Sequence, residues 1–239
     1  MEDESPELMV VMPVYNEEAS VKKVVTEWLS EIENWTEKFT FLVVNDGSID
    51  KTPAILARLQ NQIGPRLEVV TQVNQGHGQS CLHGYRMAIE RGAQYVFQID
   101  SDGQCDPQYF FRFWRLREKC DVVYGKRVRR DDGWRRVVAS LVLKATLRVF
   151  AGVSCVDANV PFRLMRTEVL KGVLERIPRG FFLANVALAI LLKQDLAVRH
   201  LSVPIRFRER YGGEPSVALG KFGQKAFELI TQIRDLKGI

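Results

Sequence analysis

Five short apolar runs recur at near-regular spacing through the first half of the chain: LMVVMP (8–13), FTFLVVN (39–45), RLEVVT (66–71), YVFQID (95–100) and DVVYG (121–125). Amphipathic stretches separate them, with helices predicted near 17–33, 52–62, 79–91 and 107–118. Thr52-Pro53 has the form of a helix start and Gly92 that of a helix stop. Repeated strand–helix–strand units imply an α/β fold, with a mostly parallel sheet and helices on both faces. In such sheets ligands bind beyond the carboxyl ends of the strands.

That rule gives the loops after the runs a meaning. Strand 1 ends in PVYNEE, strand 2 in NDGSID and strand 4 in DSDGQCD, and the third crossover opens with NQGHGQS. Each is polar, acidic or glycine-containing, and all would emerge at the same edge. The fourth is the most demanding, because it sets Asp100, Asp102 and Asp106 within seven residues. Like charges so close repel, and each is costly to desolvate without a cation or donors nearby. Asp106-Pro107 is accounted for as an N-cap followed by proline at the first helical position.

Asp100 and Asp102 flank Ser101, so on an extended strand end they face the same side. Gln104 adds a neutral oxygen, and Gly103 permits a sharp turn. Oxygen-only ligands suit Mg²⁺ or Mn²⁺, which typically join one or two carboxylates to substrate phosphates. An EF-hand does not fit, since its loop needs Gly at position 6 and Glu at 12, where this chain has Cys105 and Phe111. GHG in the third crossover lacks the full dinucleotide signature. His77 is a candidate ligand or acid, but a lone loop histidine is more often just solvated; His83 falls in a helix and His200 in a strand, with no function assigned to either.

The net charge is +5, but residues 112–148 hold twelve Lys or Arg against four acids, so the rest of the chain is net negative. Such a segment attracts an anionic partner: nucleic acid, a phospholipid surface or a phosphorylated substrate. Aromatic residues are not interleaved with the cations as a stacking platform, which disfavours nucleic acid. Within a basic helix predicted over about 133–150, Arg136, Ser140, Lys144 and Arg148 recur every four residues and line one face. Trp134, Val138, Leu141, Val142, Ala145 and Val149 supply apolar surface beside it, a composition suited to an anionic interface. Four scattered cysteines (Cys81, Cys105, Cys120, Cys155) without a CxxC point to reduced thiols in a cytosolic setting. The acidic opening MEDESPE is unlike a secretory signal, and FFLANVALAILL (181–192) is too short to span a bilayer. After residue 125 the alternation weakens: VPFRLM, a helix near 167–175, the apolar helix, extended AVRHLSVPIRFR, a YGGEP turn and a final helix near 219–236.

VVMPVYNEE, FLVVNDGSIDKT, NQGHGQSCLHGYRMA, QIDSDGQCDP and VVYGKRV resemble, in order and spacing, the family 2 glycosyltransferases with a GT-A fold. The branch they are most similar to is that of dolichyl-phosphate mannose synthases and bactoprenol glucosyltransferases. GWRRVVAS, DANVPFR and VPIRFRERYGGEPS extend the resemblance over nearly all of residues 8–217. It implies a GT-A domain over 1–217 with a C-terminal helix over 218–239. Carried over by position, Pro13, Tyr15, Glu17 and Gly76 would line the nucleotide pocket and Asp46 would receive the base edge. Asp100 and Ser101 would lie near the ribose and phosphates. Asp100, Asp102 and Gln104 would hold the cation, and Arg127 would lie near the phosphates, so that Asp100, Asp102 and Arg127 are the expected catalytic set. Arg136, Ser140, Lys144 and Arg210 would bind the acceptor.

The activity implied is inverting, metal-dependent transfer from a UDP- or GDP-sugar to a polyprenyl phosphate, peripheral on the cytoplasmic face of a membrane. A phosphate acceptor is already ionised at neutral pH and needs no general base. The alternative is transfer to a hydroxyl of a glycan or small molecule, which needs a base, for which Asp157 is available. The family often has Asn at Lys144, Gly at Pro161 and a carboxylate near Asn185; these departures bear on the sugar and acceptor, not on the nucleotide site. Many relatives also carry C-terminal transmembrane helices.

Overall fold

The computed structural model describes residues 5–128, 148, 160–177 and 184–212 of the protein. β1 (Leu8–Val14) is buried along its whole length. Successive side chains leave opposite faces of a strand, so one run feeds two cores. Leu8, Val10, Met12 and Val14 enter one, and Met9 and Val11 the other. The first core is closed by α1 (Val21–Glu33) and α2 (Thr52–Ile63). α1 buries Val21, Val24, Val25, Trp28, Leu29 and Ile32, the spacing of one apolar helix stripe. Trp28 meets Phe97 and Phe162 at ring-centroid distances of 5.6 Å each, and Phe110 joins at 6.4 Å.

The sheet continues through β2 (Phe39–Asn45), β3 (Leu67–Thr71), β4 (Tyr95–Gln98), β5 (Val122–Arg127), β6 (Arg163–Arg166) and β7 (His200–Ile205). Its strand order is β3-β2-β1-β4-β6-β5-β7. β1 pairs in parallel with β2 and β4, β2 with β3, and β5 with β7, whereas β6 runs antiparallel to both β4 and β5. One reversed strand therefore separates two parallel groups pointing the same way, and the carboxyl ends of all the others share an edge. The opposite core lies under α3 (His77–Glu90), α5 (Thr167–Leu174) and α6 (Ala184–Gln194). A short α4 (Phe110–Trp114) completes the described helices. The α/β, mostly parallel expectation holds.

Three local expectations are corrected. The helix expected from 17 begins at Val21, because the Glu17 N–H donates to Thr52 Oγ1 at 2.9 Å and the Glu17 carbonyl is taken up by a turn with Ser20 and Val21. The helix expected over 107–118 is a 3₁₀ turn at Pro107–Tyr109 followed by α4 alone. Beyond Trp114 the chain closes in three-residue steps, Leu116 N–H to Phe113 and Arg117 N–H to Trp114. The third helix starts at His77 rather than 79, so His77 is a helix-terminal residue and not a loop one. Asp106 caps as expected, accepting from the Gln108 N–H at 3.1 Å. The basic helix over 133–150, with Arg136, Ser140 and Lys144, lies outside the described residues except for Arg148, as do Asp157, Cys155 and the terminal segment 218–239.

Candidate active site

The loops at the carboxyl edge are laced to one another. Asn16 adopts φ 52°, a left-handed conformation that asparagine tolerates better than most residues. Its N–H donates to Ser48 Oγ at 3.0 Å, and its side-chain oxygen accepts from the Ile49 N–H at 2.9 Å. Gly47, at φ 71°, lies so close to the third loop that a Cβ there would meet Asn74 N at 3.0 Å and Gln72 O at 3.1 Å. The NDGS turn thus needs glycine twice over, for its φ and for its space.

Asp46, 2% exposed, is the hub of this corner. Oδ1 accepts from Gln72 Nε2 at 2.7 Å and the Gln75 N–H at 2.9 Å, and Oδ2 accepts from the Gly76 N–H at 2.8 Å. Two carboxylate oxygens offer about four acceptor positions, so one remains for a further donor. Gln72 is held in turn by His83, whose Nδ1 lies 2.6 Å from Gln72 Oε1. Because Gln72 spends its amide protons on Asp46 and Ser80 Oγ, its oxygen is the acceptor, and Nδ1 of His83 carries the proton. His83, to which the sequence assigned nothing, therefore sets the orientation of a residue that holds Asp46.

At the end of β4 the chain leaves the ladder after Gln98 and turns through Asp100–Asp106. Asp102 is 7% exposed. Its Oδ1 accepts from the Gln104 N–H at 2.9 Å, and its Oδ2 accepts from Arg210 at 3.0 Å and 3.3 Å. Asp100 Oδ1 is buried without a hydrogen-bond partner. Burial raises the Asp100 pKa, opposed by the charge of His77 and reinforced by that of Asp102. Burial also raises that of Glu17, whose Oε2 lies 2.6 Å from Ser20 Oγ and which feels Arg210, Asp102 and Asp100. Ser20 Oγ also lies 3.0 Å from the Ser101 carbonyl, tying the first loop to the fourth. Three carboxylates thus share one corner.

His77 Nε2 lies 3.7 Å from Asp100 Oδ1 and 3.6 Å from the buried Cys81 sulfur. The sulfur of Cys81, and after it Asp100, hold the imidazole above its ordinary value. Even with Arg210 and a charged His77, three carboxylates leave an excess of negative charge. Among the described residues, no three His, Cys, Asp or Glu side chains form a closed metal cage. An open site of one or two carboxylates, completed by substrate phosphates and water, is the usual arrangement for Mg²⁺. The Asp100 oxygen that accepts no hydrogen bond fits it.

The other expected residues distribute as follows. Pro13 is buried in β1 opposite Val44, and Tyr15 just beyond it is 45% exposed on the edge. Gly76, at φ 89°, precedes α3 and donates to Asp46. Arg127 is the last residue of β5, its guanidinium 5.3 Å from the centre of the Phe207 ring. Arg210, expected against the acceptor, is paired with Asp102. The segment 206–212 that carries it follows β7 and crosses back over the fourth loop, a return that no local sequence signal announced.

The sequence pattern of glycosyl transferase family 2 matches residues 9–174. The undecaprenyl-phosphate 4-deoxy-4-formamido-L-arabinose transferase of Edwardsiella ictaluri (strain 93-146) is 27% identical over 228 residues, covering 93% of this chain and 66% of that protein. The enzyme of the same name from Proteus mirabilis (strain HI4320) is 25% identical over 224 residues, with the same shares. This chain therefore spans about two thirds of the length of those relatives. Among solved structures, glucosyl-3-phosphoglycerate synthase from Mycobacterium tuberculosis, in complex with Mn²⁺, UDP-glucose and phosphoglyceric acid, superposes with a TM-score of 0.66 at 17% identity. That match covers 98% of this chain and 80% of the other, and it shows the GT-A fold.

Proposed function

The chain belongs to glycosyl transferase family 2, and on that premise we propose that it transfers a sugar from a nucleotide-diphosphate sugar to a polyprenyl phosphate. The observation that carries the reading is the corner at the carboxyl edge where Glu17, Asp100 and Asp102 lie together and a buried Asp100 oxygen accepts no hydrogen bond. The acceptor class is supported by the names of the relatives, which act on undecaprenyl phosphate. The donor class and a divalent ion are supported by a protein of like fold that was crystallised with UDP-glucose and Mn²⁺.

In this reading Asp100 and Asp102, with Gln104, hold Mg²⁺ or Mn²⁺. Such an ion neutralises charge growing on the departing nucleoside diphosphate, the same assistance that preorganised cations give phosphoryl transfer. Arg210 lies where it can leave Asp102 for the diphosphate, and Arg127 is placed on the same edge. Asp46 and the 72–76 loop form the wall against which the base rests, with Tyr15 and Glu17 opposite. The acceptor phosphate attacks the anomeric carbon from the face opposite the leaving group, so configuration inverts. The acceptor contacts are Arg136, Ser140 and Lys144. The lipid contact in this reading is a peripheral surface on the cytoplasmic face; among the described residues no helix is long and apolar enough to cross a membrane.

The direct test is thermal shift and calorimetry with a panel of UDP- and GDP-sugars in Mn²⁺, followed by transfer to a short polyprenyl phosphate. One nucleotide series is expected to stabilise the protein, and only with the metal present. No stabilisation by any donor, or equal stabilisation in EDTA, would overturn the reading.

Asp46→Ala gives a second expected outcome. The substitution strips three donors of their acceptor, among them the amides of Gln75 and Gly76. Losing a charged hydrogen-bond partner costs about 1.5–3 kcal/mol. Nucleotide affinity should fall by that order, read by titrating the nucleoside diphosphate that the panel selects. An unchanged dissociation constant rejects any part for Asp46 in the base wall.

A further inference from the structure

The turn that carries Asp100 and Asp102 is not self-supporting. Its backbone carbonyls from Asp102 to Cys105 are each met by the segment that follows β7. The Tyr211 N–H donates to Asp102 O at 3.0 Å and the Arg208 N–H to Gln104 O at 3.0 Å. The Arg208 guanidinium donates to Gly103 O at 3.3 Å and to Cys105 O at 3.5 Å. The Tyr211 ring covers Gly103, at φ 81°, so closely that a Cβ there would come within 2.4 Å of it. The segment in turn is tied to α1, chiefly through one carboxylate that bonds two of its side chains. Glu27, in the second turn of α1, accepts from Arg208 Nη2 at 2.8 Å and from Tyr211 Oη at 3.0 Å. Lys23, one helical turn earlier, stands 3.8 Å from the centre of the same Tyr211 ring.

We propose that Glu27 is a positioning residue for the metal-holding turn, acting through Arg208 and Tyr211 and touching neither metal nor substrate. This deepens the transferase reading and rests on it for the identity of the ligand. Apart from its two backbone bonds to the turn, the segment has no strand partner between residues 206 and 212, so side-chain anchors carry the rest of its placement. Glu27 joins two of them at a single carboxylate, and each of those reaches the turn by side chain and by backbone amide. The carbonyls it fixes run from Asp102 itself to Cys105, so a loosened segment lets the Asp102 side chain drift from its place beside Asp100. Partners of this kind behind metal ligands typically alter metal affinity by about 10- to 100-fold when removed.

The test compares wild type, Glu27→Ala, Glu27→Gln and, as a control, Glu31→Ala. Glu31 lies one turn further along α1 and bonds Trp35 Nε1 at 2.9 Å, away from the segment. Two readouts are taken without acceptor or turnover: Mn²⁺ binding by calorimetry, and hydrogen exchange of the Arg208 and Tyr211 amides in the metal-free protein. Glu27→Ala is expected to weaken Mn²⁺ binding at least about tenfold and to speed exchange of both amides. Glu27→Gln, which keeps an acceptor for the tyrosine hydroxyl but loses the charge facing Arg208, should fall between it and wild type. Glu31→Ala should match wild type in both readouts. Wild-type exchange rates and Mn²⁺ affinity in Glu27→Gln and Glu27→Ala overturn the proposal. If the wild type binds no Mn²⁺ at all, the metal reading fails, and the exchange rates alone still decide whether Glu27 fastens the turn. Should Glu27→Ala not fold, Glu27→Gln and Tyr211→Phe, which removes only the hydroxyl, give the same readouts.

Discussion

Asp102→Asn is expected to abolish sugar transfer while leaving the fold intact. The expectation separates cleanly because the two jobs of this carboxylate fall on different oxygens. Oδ1 takes the Gln104 N–H and shapes the turn, a task asparagine performs with its own Oδ1. Oδ2 faces Arg210, and it is the oxygen that a cation must claim. Replacing it with an amide removes the charge and puts donors where an acceptor is needed. Mutations behind metal ligands already cost about 10- to 100-fold, so loss of a direct ligand should exceed a hundredfold in rate. The stability cost is small by comparison. The arginine side chain of the Arg210–Asp102 pair is 27% exposed and can turn to solvent, while asparagine keeps an oxygen for the Gln104 N–H, so the turn retains its internal bond. Transfer rate against Mn²⁺ concentration, measured beside a thermal melt, checks both halves. Near-normal turnover in the variant, or in wild type treated with EDTA, would remove the metal from the reaction. A variant that melts far below wild type would instead make Asp102 a structural residue.

How much of this could be seen in the chain itself follows from which signals are local. The strands were legible because runs such as LMVVMP and FTFLVVN are buried on both faces, and a fully apolar run flanked by polar loops has few other uses. The shared edge was legible for the same reason, since one-way crossovers force the loops after those strands together. The cap at Asp106 is a matter of two neighbouring residues and was read correctly. What escaped was made of long separations. β6 carries Arg163, a residue 0% exposed in the middle of a sheet, and no periodicity rule places an arginine there. Its charge is met by the carbonyls of Val160 and Asn185, a solution visible only once the chain has turned twice. Glu27 looks like a solvent-side residue of an amphipathic helix, and Arg208 like one cation among many in RFRER. Their meeting depends on the path of the chain after β7. His77 was misread because glycines on either side of it suggest a loop, whereas only Gly76 ends one and Gly78 lies inside α3.

Arg136→Ala should cripple transfer to a short polyprenyl phosphate and leave donor binding nearly unchanged. Among the described residues, the donor corner is built from the sheet edge and the segment after β7. Arg136, Ser140, Lys144 and Arg148 recur every four residues in the sequence, in a segment whose cations outnumber its acids three to one. An ionised phosphate acceptor needs fixed positive charge more than it needs a base, and arginine supplies paired donors in phosphate geometry. Losing such a contact costs about 1.5–3 kcal/mol, or roughly ten- to a hundredfold in transfer efficiency. If the stripe also meets the bilayer, association with liposomes should need anionic lipid and weaken with salt, because surface charge is screened beyond about 8 Å at physiological ionic strength. A merely solvated basic face predicts normal kinetics for Arg136→Ala and indifference to lipid charge. A hydroxyl acceptor reverses the order of damage, since a base then becomes essential and Asp157→Asn is the more harmful change. Measuring both variants with a lipid phosphate and with a hydroxyl acceptor assigns the acceptor chemistry. Greater loss in Arg136→Ala, on the phosphate alone, is the expected result.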